Sequence, residues 1–143
     1  MAEGGAKRDP ILGPLDVIAH AALAIGDDVA SLREHGRPQL ALYIGGMGAR
    51  GRNFYNDLAR RFGYEAEAKA IQDAYLDGRK AEAETLVPAD LVERTSLIGP
   101  ESYVRERLAT YREAGVTTLN LTPLAPTHEA RVRLIEQVRA MAD

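Results

Sequence analysis

Several stretches of this chain combine residue types and spacings that could do chemistry. Gly46-Met47-Gly48-Ala49-Arg50-Gly51 reads G-x-G-x-x-G and follows the apolar run at residues 40–44. Glycines so placed can let a backbone approach a pyrophosphate at a helix N-terminus. That chemistry also needs a second strand after the helix, ending about 20 residues on in an acidic side chain for a ribose hydroxyl. Here the residues through Gly63, Glu65 and Ala74 keep a helical pattern instead. The expectation is a glycine turn that ends a helix and binds no nicotinamide dinucleotide. Arg50, Arg52, Arg60 and Arg61 gather near the same turn. Their planar forks suit phosphate or carboxylate, but a solvated helix face is the plainer reading, since exposure is the usual state of arginine.

Gly99-Pro100-Glu101-Ser102 joins an expected strand to an expected helix. In parallel α/β proteins ligands sit outside the carboxyl ends of the strands, with free helix N–H groups aimed at anions. Capping by Glu101 or Ser102 explains the same residues without a ligand. Asn120 and Thr122 alternate along the last expected strand and so share a face, as a ligand-facing pair or as a hydrogen-bonded core pair. His20 lies in an apolar run, where a satisfied core histidine is commoner than a base lacking an acidic or metal partner. Asp27-Asp28 reads as a helix cap, and the acids from Glu65 to Glu84 read as a solvated face. No side chain is assigned as catalytic.

The elements that must position these residues belong to a chain of 143 residues, 45% hydrophobic and 27% charged, which suits one soluble globular domain. Cysteine is absent, and His20, His35 and His128 are widely spaced. Disulfides, thiolate metal sites and cysteine nucleophiles are thereby excluded, and no metal site is expected. A net charge of −3 argues against nucleic acid as a partner. No run approaches the ~18 apolar residues of a membrane span, and the N-terminus lacks a basic-then-apolar signal, so a cytoplasmic location without membrane contact is expected.

Residues 1–14 are rich in glycine, proline and charge and read as a loose lead-in. Residues 15–25 fit a strand buried on both faces, closed by Gly26, with Asp27 or Asp28 capping the next helix. Residues 39–44 are ambiguous between helix and strand. Helices are expected at 53–62, stopped by Gly63, and at 65–76, stopped by Gly78. A short one is expected at 80–86, and Pro88 opens another. Residues 95–99 suit a short strand. A helix from Glu101 carries the stripe Val104, Leu108 and Tyr111 down to Gly115. A second strand ends near Pro123, and a last helix from Thr127 or Glu129 sets Val132, Ile135, Val138 and Met141 or Ala142 on one face. This βαβα order predicts direct parallel pairing of 95–99 with 117–122, with the helix from Glu101 across them.

The segment Leu40-Ala41-Leu42-Tyr43-Ile44-Gly45-Gly46-Met47-Gly48 followed by Asn53-Phe54-Tyr55-Asn56, then Val87-Pro88-Ala89-Asp90-Leu91-Val92, Ser96-Leu97-Ile98-Gly99-Pro100 and Ala114-Gly115-Val116-Thr117-Thr118-Leu119 stand in this order. Together they resemble the C-terminal part of the luciferase-like, coenzyme F-420-dependent oxidoreductases, relatives of methylenetetrahydromethanopterin reductase. The resemblance runs from about Leu15 to the end. It implies a helix-rich α/β fold: about strands six to eight of a (β/α) TIM-type barrel, with a helical insertion before strand seven. Residues 15–26 would be strand six, 95–99 strand seven and 117–122 strand eight, with 53–93 as the insertion. Residues 38–44 would then close helix six, and 1–143 would form one partial barrel domain. Such a barrel needs ~250 residues, so the earlier strands would be lacking.

The function implied is hydride transfer between deazaflavin coenzyme F-420 and a small organic substrate, incomplete in this chain. Gly26, Gly99, Ser102, Asn120 and Thr122 would line the cofactor or substrate mouth. An FMN-dependent monooxygenase is the alternative on the same fold. A non-catalytic fragment or interaction module is the alternative from another class. Open strand edges favour association, hence a homo-oligomer or a chain supplying the missing strands.

Overall fold

The structure, a computed structural model, describes residues 2–142. The lead-in is more ordered than its composition suggests. It holds a short helix, α1 (Ala2–Gly5), and a 3-10 turn at Pro10–Leu12, where the Asp9 carboxylate accepts from the Ile11 N–H at 3.0 Å. The long apolar run then becomes β1 (Ile18–Ile25). Asp28 caps α2 (Val29–Glu34), its carboxylate accepting from the Ser31 N–H at 3.3 Å, which satisfies one of the donors a helix start leaves open. Pro38 sits in the first turn of α3 (Arg37–Ala41), where its missing N–H would have had no intrahelical partner. This helix runs on into a π-helical turn at Leu42–Gly46, so the ambiguous segment is helical.

Four helices follow: α4 (Phe54–Arg61), α5 (Glu65–Leu76), α6 (Lys80–Thr85) and α7 (Ala89–Thr95). Gly63 and Gly78 take φ of 95° and 83° at the stops after α4 and α5, a left-handed conformation that costs glycine little. The chain ends with β2 (Ser96–Gly99), α8 (Glu101–Glu113), β3 (Thr118–Pro123) and α9 (His128–Ala142).

All three strands are parallel, in the order β2-β1-β3. This corrects the expected direct pairing of the last two strands. Among the described residues no ladder joins β2 to β3, and each pairs with β1 instead. The strands themselves supply the reason. β1 has eight residues with Ala21, Leu23 and Ala24 buried, β2 has four, and β3 is nowhere fully buried. The longest apolar strand takes the central place, where both of its edges are hydrogen-bonded.

Helices cover both faces of this sheet. Ala22 and Ala24 point to the side of α3–α7, whereas Ala21 and Leu23 pack with Val104 of α8 and Val138 of α9. The crossover from β1 to β2 and the one from β2 back past β1 to β3 run in opposite directions, so right-handed connections put their helices on opposite faces. The α8 stripe behaves as expected, with Val104 buried and Leu108 and Tyr111 half-buried. On α9 the covered line runs through Leu134, Val138 and Met141, while Val132 and Ile135 stay about 40% exposed. Half of the expected stripe on that helix therefore faces outward.

Candidate functional site

The glycine-rich turn shows its purpose in what packs against it. A Cβ on Gly46 would lie 2.4 Å from the Tyr75 ring, and one on Gly45 would lie 2.5 Å from the Tyr75 Cβ. A Cβ on Gly48 would meet the Arg52 carbonyl oxygen at 2.3 Å. These glycines let α5 and the loop backbone close onto the π-helical turn. A helix precedes them and four helices follow before the next strand, as the reading against a dinucleotide fingerprint requires.

Two asparagines complete this corner. Asn53 is buried; its amide donates to the Tyr43 and Ile44 carbonyls at 3.0 Å each, and its oxygen accepts from the Tyr55 and Asn56 N–H groups. Asn56 donates to the Ile44 carbonyl at 3.1 Å and to the Ala68 carbonyl at 2.7 Å. The carbonyls that a helix end leaves open are thus satisfied by side chains. The Asn53-Phe54-Tyr55-Asn56 stretch is architectural. Arg50 is architectural too, reaching Asp73 at 2.7 Å and Asp77 at 3.4 Å on α5. Lys69 first and then Arg50 hold the Asp73 carboxyl down at about 2. Arg52, Arg60 and Arg61 are exposed.

A cavity of about 520 Å³ lies between the sheet and the helices, a size usual for small-molecule sites. His20, Ala22 and Thr122 form part of its sheet side. Tyr43, Tyr55 and Phe62 supply aromatic walls, and Leu91 and Val92 of α7 close it further. The Tyr43 and Tyr55 rings meet edge-on, centroids 4.6 Å apart. Small residues on the lining, Ala22, Gly36 and Ala59, leave room between these bulkier walls. No Asp, Glu, Lys or Arg lines the cavity among the described residues.

The ladder sets His20 opposite Asn120 and Ala22 opposite Thr122. Asn120 and Thr122 do share a face, as their alternation demands. The Asn120 amide reaches the His20 Nε2 at 3.4 Å, a long contact. With the amide as donor, Nε2 accepts and the ring proton sits on Nδ1. Far from being a satisfied core residue, His20 is exposed at the cavity edge. Its role was hidden in the sequence because an apolar strand suggests two covered faces, and here one face looks into a gap between helices. The hydroxyls of Thr95 and Ser96 face inward as well, yet they donate to the Leu91 and Val92 carbonyls at 2.7 and 2.6 Å.

The other sequence-derived positions lie elsewhere. Gly26 donates its N–H to the Gly99 carbonyl at 3.1 Å, tying the carboxyl ends of β1 and β2 together. A Cβ on Gly99 would lie 2.9 Å from the Tyr103 ring, so that glycine admits an aromatic side chain. The Tyr103 phenol donates to the Glu93 carbonyl at 2.9 Å, and burial pushes it up. Ser102 is exposed in the first turn of α8, which Pro100 rather than a side-chain oxygen begins. A smaller hollow of about 260 Å³ opens at this carboxyl edge between Leu32, Leu124 and Leu134, and Arg133 is its one charged side chain among the described residues. Arg133 carried no sequence signal beyond being one arginine on a polar helix.

Among the described residues no three His, Asp or Glu side chains converge on a metal position, and no helix is long and apolar enough to cross a membrane. The model of the luciferase-like monooxygenase family matches residues 1–118. A protein of Mycobacterium tuberculosis named as a coenzyme F-420-dependent oxidoreductase is 36% identical over 121 residues, which are 85% of this chain and 34% of that protein. The chain therefore spans about a third of the length of the curated relative it matches. No solved structure matches it.

Proposed function

The chain belongs to the luciferase-like monooxygenase family, and from that premise we propose that it forms part of an oxidoreductase that moves hydride between coenzyme F-420 and a small organic substrate. The observation that carries the reading is the 36% identity to a relative of that name, set beside a cavity of about 520 Å³ with a largely apolar lining. The family also supports FMN as an alternative cofactor. A planar ring system fits between the aromatic walls and the sheet, where Thr122 and His20 offer hydrogen bonds to its edge. The anionic arm of either cofactor has no partner in an uncharged cavity. Arg133 in the hollow at the carboxyl edge would hold it, with Ser102 at the exposed start of α8 offering a hydroxyl. The bound deazaflavin supplies the hydride; the protein binds, orients and excludes water.

In the full assembly we propose, the further strands join the open edges of β2 and β3, and β1 keeps β3 and the cavity beside it. Residues 53–93 remain the helical insertion. The edges of β2 and β3 favour a homo-oligomer or a second chain that supplies the missing strands. Turnover by this chain alone is then small, since a missing wall removes the positioning a redox site needs. A cytoplasmic setting fits this chemistry.

Calorimetric titration of the purified chain with F-420 and with FMN, sedimentation, and a deazaflavin reduction assay test the reading together. Saturable F-420 binding by a self-associating protein with little turnover is the expected result. FMN binding alone moves the chain to the monooxygenase reading. A monomer with robust F-420 turnover refutes the incomplete-site reading, and binding of neither cofactor leaves the interaction module.

A further inference from the structure

The uncharged cavity discriminates by chemistry, and its lining says how. Every side chain around it is apolar, aromatic or neutral-polar, apart from the imidazole of His20. Moving a carboxylate or phosphate into such surroundings without a paired charge is costly, so an anion is rejected even where its shape fits. The walls favour flat molecules, because Tyr43, Tyr55 and Phe62 line a space bounded on its other side by the strand residues Ala21 and Ala22.

Polar recognition is confined to a few groups. The Thr95 and Ser96 hydroxyls donate to carbonyls of α7, which removes them as donors to a ligand. On the sheet side this leaves His20 and Thr122. With the Asn120 amide donating to Nε2, Nδ1–H of His20 is left as a donor. An amide on the neighbouring strand holding the ring by one nitrogen orients the other, as supporting hydrogen bonds do for histidine in many sites.

We infer that this cavity binds an uncharged, planar, largely apolar ring compound carrying one hydrogen-bonding group on its edge. His20 is the specificity residue that receives that group, and Asn120 is its positioning residue. The inference deepens the oxidoreductase reading and rests on it only for the source of the ring, which is either the organic substrate or the ring system of the cofactor. Exclusion of anionic compounds follows from the lining alone.

Three naphthalene probes of matched shape test it on the purified chain: naphthalene, neutral 2-naphthol and anionic 2-naphthoate, followed by probe fluorescence. The absence of tryptophan keeps the protein background low. The expected order is 2-naphthol tightest, with 2-naphthoate at least about tenfold weaker. His20→Ala weakens 2-naphthol by about three- to tenfold and changes naphthalene by less than about twofold. Asn120→Ala produces a smaller loss in the same direction. Ala22→Leu fills the cavity from the sheet and Ala59→Leu from the helices. Either one, shown by circular dichroism to be folded, should abolish binding of both neutral probes.

Added F-420 then separates the sources: displacement of 2-naphthol assigns the cavity to the cofactor ring, and simultaneous binding assigns it to the substrate. Equal affinity for 2-naphthoate, or unchanged binding in a folded filled variant, overturns the inference. Failure of F-420 to bind while the probe order holds counts against the cofactor reading and leaves this one standing.

Discussion

The two sides of the sheet are built to different standards. On the side of α3–α7, twelve buried apolar residues form one cluster, six of them alanine, and the helices close around Gly45, Gly46 and the buried Asn53 and Asn56. On the side of α8 and α9 the cluster has five buried members. There β3 alternates between half-buried and exposed, and Val132 and Ile135 face outward. Buried apolar surface is the main favourable term in folding, so the helical side should hold the chain together and the carboxyl-terminal side should yield first. Small residues explain the contrast. Alanine and glycine on α3–α7 and the π-helical turn let backbones approach closely, while β3 has only one neighbouring strand to pair with.

The largest effect that could break this comparison is local stability. In native-state hydrogen exchange, amides of α5 around Ile71 should be protected about a thousandfold more than those of β3, since opening free energies range from near zero up to the global value. Equal protection would mean that the two sides unfold as one unit. Substitution on the helical side comes next. Gly46→Leu must displace the Tyr75 ring that a Cβ would meet at 2.4 Å, and it should cost ~3 kcal/mol in urea unfolding, at the upper end for overpacking. The parent itself should show no saturable heat with NAD or NADP in calorimetric titration, because Gly46 and Gly48 serve packing rather than a pyrophosphate. Val132→Ala on α9, with its side chain about 40% exposed, should change stability by less than ~1 kcal/mol.

How much of this was legible in the sequence depended on the range of the deciding interactions. Asp28, Gly63, Gly78, Pro88 and Gly115 act on neighbours a few residues away, and the elements they bound lie where those residues predict. The strand order did not show, because it depends on which edge of β1 is open, and direct βαβα pairing was the natural expectation. The cavity was hidden for a related reason. His20 meets Asn120 a hundred residues away, and the gap beside it exists because Ala22, Gly36 and Ala59 come from separate elements. That Asn120 and Thr122 share a face was legible because alternation along a strand is a local property. Gly26 and Gly99 were marked as strand ends, which they are, and the structure gives them a backbone hydrogen bond and a Tyr103 contact.

A smaller effect sharpens the comparison within the helical side. Asn56→Ala would leave the Ile44 and Ala68 carbonyls without their buried partners. An unsatisfied buried group costs about 1–3 kcal/mol, and a loss of ~2 kcal/mol is expected with the fold retained. Asn56→Asp keeps the shape but offers no amide donor, so it should cost at least as much. A negligible change in both variants would mean that water reaches the corner and that the helical side is less sealed than its burial suggests.

The smallest effect lies on the surface of that same side and is read through pH. Asp73 accepts from Lys69 and from Arg50, each at 2.7 Å, and these partners lower its pKa from 3.8 to about 2. The folded value is below the unfolded one, so the stabilisation is fully present above about pH 4 and is lost as pH falls through about 2. Exposed ion pairs are screened by water and salt, which keeps the effect modest. Asp73→Asn should therefore lower the unfolding midpoint slightly at neutral pH and flatten part of its decline between pH 4 and pH 2. High salt should shrink the difference between the two proteins. If Asp73→Asn instead falls as steeply as the parent through that range, the Lys69–Asp73–Arg50 contact adds nothing to the attachment of the glycine turn to α5. The packing of Tyr75 on Gly45 and Gly46 would then hold that corner by itself.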